Sequence, residues 1–111
     1  MSYNIIAVPT FKKELKRLAK KFPSLKNDFS EFLESLENNP SQGTSLGKNC
    51  YKIRLAITSK GKGKSGGARV ITHIVISKET VYLLSIYDKS DQESLSQKEL
   101  DELLKYISED E

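Results

Sequence analysis

The stretch YKIRLAITSKGKGKSGGARVITHIVISKETVYLLSIY, residues 51–87, contains three apolar runs separated by polar turns. Residues 51–58 alternate apolar and polar side chains, which is the period-two pattern of a half-buried strand. Residues 68–76 and 81–87 predict two further strands, connected to the first and to each other by a Gly/Ser/Lys loop and a SKET turn. Because turns this short cannot join parallel strands, the stretch predicts a three-stranded antiparallel meander.

The segment before this meander predicts one strand and two helices. Residues 3–8 form a short apolar run that Pro9 ends, and Thr10 can cap a first helix through its hydroxyl. Pro23 ends that helix because proline supplies no backbone donor, and Ser24 can cap a second one. The short link between the two helices predicts an antiparallel helical hairpin.

The remaining segments complete the fold prediction. Residues 41–49, SQGTSLGKN, predict a loop, and Ser96 with Glu99 forms the capping-box pattern at the start of a C-terminal helix. The sequence therefore predicts an α+β fold, with an N-terminal strand and helical hairpin packed on a mainly antiparallel sheet and a short C-terminal helix. With 111 residues, the chain is large enough for one domain over 1–111 with a single core.

Composition excludes several kinds of site. Cys50 is the single cysteine and His73 the single histidine, so neither an intramolecular disulfide, a cysteine-built metal site nor a paired-histidine motif is available. The GKGKSGG segment lacks the spacing of a P-loop and joins two strands, so it is not a nucleotide-binding loop. No run of 18 apolar residues and no signal-peptide core occur, and we expect a cytoplasmic protein without membrane contacts.

The charge distribution is more informative than the net charge of +3. Residues 38–78 contain no Asp or Glu, whereas they carry eight cations: Lys48, Lys52, Arg54, Lys60, Lys62, Lys64, Arg69 and Lys78. A concentrated positive potential favours a polyanion, of which RNA and DNA are the usual examples. The alternative interpretation is a solvated strand face followed by a flexible lysine loop.

Strand parity suggests how some of these cations are arranged. Lys52 and Arg54 share one face of their strand, and a suitable register would bring Arg69 beside them, with Lys89 completing a fourth corner. Such a cluster suits phosphodiester cleavage without a metal or another cofactor, because cations stabilise the phosphorane formed when a ribose 2′-OH attacks. Lys52 is a candidate general base, since neighbouring cations favour the neutral amine.

Three segments resemble the RelE/HigB-like toxins of type II toxin–antitoxin systems, in the RelE/ParE superfamily. They are YKIRL at 51–55, GKGKSGGARVI at 61–71 and LLSIYDKSDQESLSQKEL at 83–100, and the lysine- and glycine-rich loop is most similar to the HigB-like branch. The resemblance implies a fold like that of small microbial ribonucleases. It also implies a ribosome-dependent mRNA endoribonuclease (an mRNA interferase), monomeric on its own and neutralised by a cognate antitoxin.

The resemblance also implies roles for individual residues. Lys52 and Arg54 match the family's paired cations, Arg69 its phosphate-stabilising arginine, and Lys89 the arginine that serves the leaving group. The catalytic tyrosine of some members falls near Leu95, so Tyr87 is the expected substitute. The expected RNA-binding residues are Lys60, Lys62, Lys64 and His73, although His73 also suits a core position.

Two other functions fit the same sequence. ParE-like toxins share the fold but target DNA gyrase and lack the cation cluster. A non-catalytic RNA-binding module would bind RNA through the same cations without cleaving it. A cognate antitoxin is also expected, and an acidic or extended segment of it would cover the basic groove.

Overall fold

A computed structural model describes residues 3–61, 66–92 and 95–110 of the chain. The elements lie in the predicted order, with one additional strand. They are β1 (Asn4–Ala7), α1 (Pro9–Lys21), α2 (Leu25–Asn38), β2 (Thr44–Gly47), β3 (Cys50–Leu55), β4 (Ala68–Val75), β5 (Thr80–Asp88) and α3 (Gln97–Asp110). Short 3₁₀ turns follow β3 and β4, at Thr58–Lys60 and Ile76–Lys78.

One five-stranded sheet has the order β1-β5-β4-β3-β2. The predicted meander is confirmed, because β3 pairs with β4 and β4 with β5, both antiparallel. β1 runs parallel to β5, with Ile5 opposite Val81. Together with three helices, this mixed sheet confirms the predicted α+β fold class.

The expected loop at 41–49 was wrong for its second half, which contains β2. β2 pairs antiparallel with β3 through a tight turn at Lys48 and Asn49, whose φ angles are 54° and 60°. Positive φ at both central residues is the geometry that lets a two-residue turn follow the twist of the flanking strands. β2 has only four residues with a single apolar side chain, so its sequence shows no alternation of apolar and polar side chains.

The helix starts differ in how they are capped. α1 begins at Pro9 with Val8 at its N-cap, so the predicted Thr10 cap was wrong; proline suits a first-turn position because that N–H would have no helical partner. Ser24 does occupy the N-cap of α2, but its hydroxyl donates to Asp28 Oδ2 (2.8 Å) instead of capping a backbone amide.

The predicted capping box of α3 is confirmed. Glu99 N–H donates to Ser96 Oγ, and Ser96 N–H donates to Glu99 Oε1, both at 3.1 Å. Leu100 and Ile107 then bury the inner face of this helix. Its position next to β5 bears on the candidate site, as described below.

The core is built around β5, all nine residues of which are buried. Because successive side chains of a strand point to opposite faces, both faces of β5 are covered. α1 and α3 both contact it, and Phe11, Leu18 and Leu25 from the helical hairpin are fully or almost fully buried. Within the described ranges, no helix has the length and apolar character needed to cross a lipid bilayer.

Candidate functional site

A row of three side chains crosses the sheet at one end of the meander. Arg54 on β3 is directly opposite Arg69 on β4, and Arg69 is directly opposite Tyr87 on β5. Lys52 lies two residues before Arg54, and therefore on the same face. The register that the sequence analysis required for convergence of the cations is thus present.

The cations line a shallow cleft of about 280 Å³. Its lining residues are Thr44, Lys52, Arg54, Arg69 and Lys89. Four of these five side chains are cations and none is an acid. Positive groups held this close repel one another, so the cleft is suited to an anion that offsets their charge.

Arg69 is the buried member of this set, with 4% of its surface exposed, whereas Arg54 is exposed. Arg69 Nη1 donates to the backbone oxygen of Ala68 at 3.1 Å. Burial lowers the pKa of the Arg69 guanidinium, and the nearby Arg54 lowers it further. Because an arginine side chain keeps its proton in proteins, Arg69 remains a cation at neutral pH, in a position fixed by its surroundings.

Tyr87 is also buried, with 3% exposure, and does not line the cleft itself. Burial raises the pKa of its phenol; Arg69 acts in the opposite direction, and Glu99 of α3 raises the pKa again. The phenol is therefore protonated at neutral pH and can act as a hydrogen-bond donor. Leu95, near which the resemblance placed the catalytic tyrosine of some members, lies in a different groove together with Glu14 and Leu103.

Lys89 follows β5 directly and is half-buried. Its backbone N–H donates to the backbone oxygen of Gly67 at 3.1 Å, which ties the turn after β5 to the start of β4.

Thr44 is the lining residue that sequence reasoning missed, because its strand was predicted as a loop. Its pairing with Lys52 across β2 and β3 brings a hydroxyl to the rim of a cleft otherwise made of cations.

The expected RNA-binding residues are not all near the cleft. Lys60 Nζ donates to Asp88 Oδ1 at 2.6 Å, in an ion pair whose side chains are 9% and 2% exposed. Its ammonium is thus engaged inside the protein and does not present a free charge to RNA. Lys62 and Lys64 lie outside the described residues.

His73 lies at the other end of the sheet. It is four residues from Arg69 along β4, or roughly 13 Å at the rise of a strand, and pairs across the ladder with Cys50. Its Nδ1 is 3.4 Å from Cys50 Sγ. Cys50 is buried, and burial raises the pKa of its thiol to about 11, which agrees with a packing role.

The described side chains contain no group of three or more His, Cys, Asp or Glu placed to hold a metal ion. The site as observed is therefore a set of cations with a threonine hydroxyl and an adjacent phenol. Such a set can stabilise an anion electrostatically, and its lysine and tyrosine side chains are able to donate protons.

Solved structures share the fold over most of the chain. A double-arginine mutant of the Escherichia coli toxin RelE in its free state matches with a TM-score of 0.64 and 19% identity, covering 96% of this chain and 99% of that one. The toxin–antitoxin complex RelBE2 from Mycobacterium tuberculosis matches with a TM-score of 0.56 and 14% identity, covering 79% and 99%. The same E. coli mutant bound to an antitoxin RelBc peptide gives 0.51 and 22%, covering 92% and 94%.

The sequence itself gives the assignment. The family model described as RelE toxin of the RelE/RelB toxin–antitoxin system matches residues 10–110. Apart from Pro9, the first residue of α1, that range contains all the elements after β1, and it contains every residue that lines the basic cleft. The chain therefore belongs to the RelE family, the toxins of RelE/RelB toxin–antitoxin systems.

Proposed function

We propose that this toxin is a ribosome-dependent mRNA endoribonuclease, a hydrolase of the cytoplasm that cleaves RNA by metal-free attack of a 2′-OH on the adjacent phosphodiester. The observation that supports it is the cleft in which Arg54 and Arg69 are direct neighbours and Lys52 and Lys89 line the same space. The family assignment points in the same direction, because RelE-like toxins are ribonucleases.

The developing charge is the part of the reaction that this cleft can assist most. Attack of the 2′-oxygen on phosphorus gives a phosphorane with more negative charge than the ground state. Fixed cations at Arg54 and Arg69 stabilise that charge more than they stabilise the substrate, which is the condition for acceleration. Burial holds Arg69 in place before substrate arrives, so little reorganisation is needed.

Two protons must also move. The 2′-OH loses one, and we assign its acceptance to Lys52, which lines the cleft. The departing 5′-oxygen gains one, for which Lys89 is the candidate donor and the protonated phenol of Tyr87 a second. The products are a 2′,3′-cyclic phosphate and a 5′-hydroxyl, so atoms and charge balance without a metal or another cofactor.

The composition of the cleft supports the proposed requirement for a ribosome. Its lining residues include no histidine or carboxylate, so they form a weak acid–base pair. Alignment of the 2′-oxygen with the phosphorus must then supply much of the acceleration, and an mRNA held on the ribosome provides such alignment. The sites of cleavage should accordingly lie inside translated reading frames.

A cognate antitoxin is the second proposed partner. Relatives of the same fold have been solved with antitoxins: the M. tuberculosis RelBE2 complex and E. coli RelE with a RelBc peptide. An antitoxin segment with acidic side chains would complement the four cations of the cleft and exclude RNA from it. Pre-formed complex should therefore leave mRNA intact.

Primer extension on cellular mRNA after brief induction tests the proposal. Wild type should give translation-dependent cuts, and Arg69→Ala should reduce them by roughly 10²–10³, the usual loss for one such stabilising group. Lys26→Ala removes an exposed cation of α2 and should cut like wild type. Because Arg69 is buried, Arg54→Gln at the exposed neighbour provides a second variant that tests the cleft with less risk to folding.

Each alternative function gives a distinct outcome. Cuts by folded Arg69→Ala and Arg54→Gln within about threefold of wild type would contradict the assigned roles. Growth arrest without cuts, together with inhibition in a gyrase supercoiling assay, would identify a ParE-like toxin. RNA binding with neither arrest nor cuts would identify a binding module.

A further inference from the structure

The turn that carries Lys89 is fixed by contacts other than the sheet ladder. Asp88 is the last residue of β5, and its Oδ1 accepts a hydrogen bond from Ser90 N–H at 2.9 Å. Lys89 N–H, between them, donates to Gly67 O. The direction in which Lys89 leaves the sheet therefore depends on the shape of residues 88–90.

Lys60 reaches this turn from the 3₁₀ turn that follows β3. Its Nζ donates to Asp88 Oδ1 (2.6 Å) and to Ser90 Oγ (3.1 Å), and lies 5.4 Å from the centre of the Phe22 ring. The two charged side chains are 9% and 2% exposed, so water has little access to the pair. One ammonium thus binds both residues that flank Lys89.

Lys60 is itself on an anchored turn. Thr58 donates to Asp28 from its backbone N–H (2.9 Å) and its hydroxyl (2.6 Å). Ser59 N–H donates to Ser24 Oγ at 2.8 Å. These bonds fix the 3₁₀ turn after β3 to the helical hairpin, so Lys60 connects the hairpin to the turn of Lys89.

Stability alone is a poor explanation for this ion pair. Burying two charges has a large desolvation penalty, and apolar residues of similar size often stabilise a protein equally well. Hydrogen bonds, however, impose a direction that apolar contacts do not.

We propose that Lys60 and Asp88 are positioning residues, whose ion pair fixes the turn at 88–90 so that Lys89 faces the anion held by Arg54 and Arg69. That this anion is an RNA phosphate rests on the function proposed above. Lys60, expected from sequence to contact RNA, is thereby assigned an indirect role.

We call the Lys60–Asp88 ion pair, with the turn at 88–90 that it fixes, the clamp. Amide hydrogen exchange tests the clamp without reference to activity. Lys60→Met removes the ammonium but keeps the length of the side chain, and it should accelerate exchange at Lys89 N–H about tenfold or more, leaving β4 amides unchanged. Lys60→Arg, which can still donate to Asp88, should stay within about threefold of wild type. Lys48→Met breaks the exposed ion pair with Asp101 (2.7 Å) and should not affect Lys89.

Two results would overturn the clamp. Unchanged exchange at Lys89 N–H in Lys60→Met would show that the ion pair does not hold the turn. Equal acceleration at every amide would show that it only stabilises the fold. If Lys60→Met fails to fold, Ser90→Ala removes one of the two Lys60 bonds at an exposed residue and must still accelerate exchange at Lys89 N–H locally.

Kinetics on programmed ribosomes then test the link to chemistry. Lys60→Met should lower kcat by about 10- to 100-fold, as expected for a misplaced catalytic group, with KM changed by less than about threefold. Lys60→Arg should restore kcat. Local acceleration of exchange in Lys60→Met with unchanged kcat would contradict the positioning role. Absence of cleavage by the wild-type protein would instead contradict the proposed function. In that case, the exchange result would still test the clamp.

Discussion

Arg54 and Arg69 are direct neighbours across two antiparallel strands, with the first side chain exposed and the second 4% exposed. Like charges directly opposite one another destabilise a strand pair. No acid lines the cleft that contains them. Two like charges therefore repel one another across this strand pair, and the proposed anionic substrate would offset that repulsion.

This arrangement predicts opposite effects on stability and activity. Arg54→Gln should raise the free energy of unfolding by about 0.2–1 kcal/mol, because it removes the repulsion across the strand pair. The same change should lower cleavage by roughly 10²–10³, because it removes one stabilising cation. Urea unfolding and primer extension measure the two effects, with Lys26→Gln on α2 as the control. A variant that is both less stable and fully active would contradict the interpretation.

Glu14 predicts a pH dependence of stability. Its Oε1 accepts hydrogen bonds from Ser85 Oγ (3.1 Å) and Ile86 N–H (3.4 Å). Burial raises the pKa of this carboxyl, although both hydrogen bonds and the nearby Arg17 act in the opposite direction. Because the pKa of Glu14 is higher in the folded protein, its protonated carboxyl contributes to the free energy of unfolding. That contribution is complete below the pKa of Glu14 in the unfolded chain, and it is lost as the pH rises through the pKa in the folded protein.

Glu14→Gln should remove this dependence, because the amide oxygen can accept the same hydrogen bonds without carrying a charge. Relative to wild type, the variant should gain stability between about pH 4 and pH 7. Urea unfolding at the two pH values measures the gain, and Glu37→Gln at an exposed site of α2 is the control. An identical difference from wild type at both pH values would refute the prediction.

A side chain at position 67 would clash with the backbone at the edge of the site. A Cβ at this position would lie against the backbone oxygen of Leu55 and 3.0 Å from Ile57 N. Gly67→Ala should therefore destabilise the fold by about 1–3 kcal/mol, and cleavage should also fall because Gly67 O accepts from Lys89 N–H. Thermal unfolding and primer extension provide the measurements.

The matched control for this change is Gly61→Asn. Nothing lies within 4 Å of a Cβ at Gly61, and its φ of 69° is one that asparagine tolerates. It should alter stability by less than about 0.5 kcal/mol. Similar losses in the two variants would show that the close approach to Leu55 is not the cause.

We expect the Cys50 thiol to be unreactive in the native protein. The thiol is buried, and its pKa of about 11 leaves almost no thiolate at neutral pH. Labelling by a disulfide reagent should be slow in the native protein and fast in denaturant, and Cys50→Ala should leave cleavage unchanged. Rapid labelling of the native protein, or loss of cleavage in a folded Cys50→Ala variant, would contradict this prediction.

The sequence predicted the meander and the main cations of the cleft because period-two alternation determines which side chains share a face. Lys52 and Arg54 follow from parity alone, and Arg69 needed only the register that short turns allow. The parallel pairing of β1 with β5 was not predictable, because no local signal joins residues that far apart in the chain. β2 was missed because TSLG has one apolar residue and no alternation.

Three residues show the limits of predicting the site from the sequence. Lys60 resembles the other loop lysines in sequence, and its partner Asp88 lies 28 residues away, so only the fold reveals that its charge is buried. His73 shares strand parity with Arg69, but parity gives the face and not the position along the strand. Thr44 was overlooked because its role depends on β2 pairing with β3.

The complete burial of β5 has a consequence for the unfolded chain. Residues 81–87, VYLLSIY, carry no charge and are rich in branched and aromatic side chains, which is the composition of segments that self-associate as cross-β aggregates. Charges at Glu79, Asp88 and Lys89 flank this run, where they oppose stacking of identical strands. Destabilised variants should therefore be lost as insoluble aggregates, because solubility then depends on β5 remaining covered.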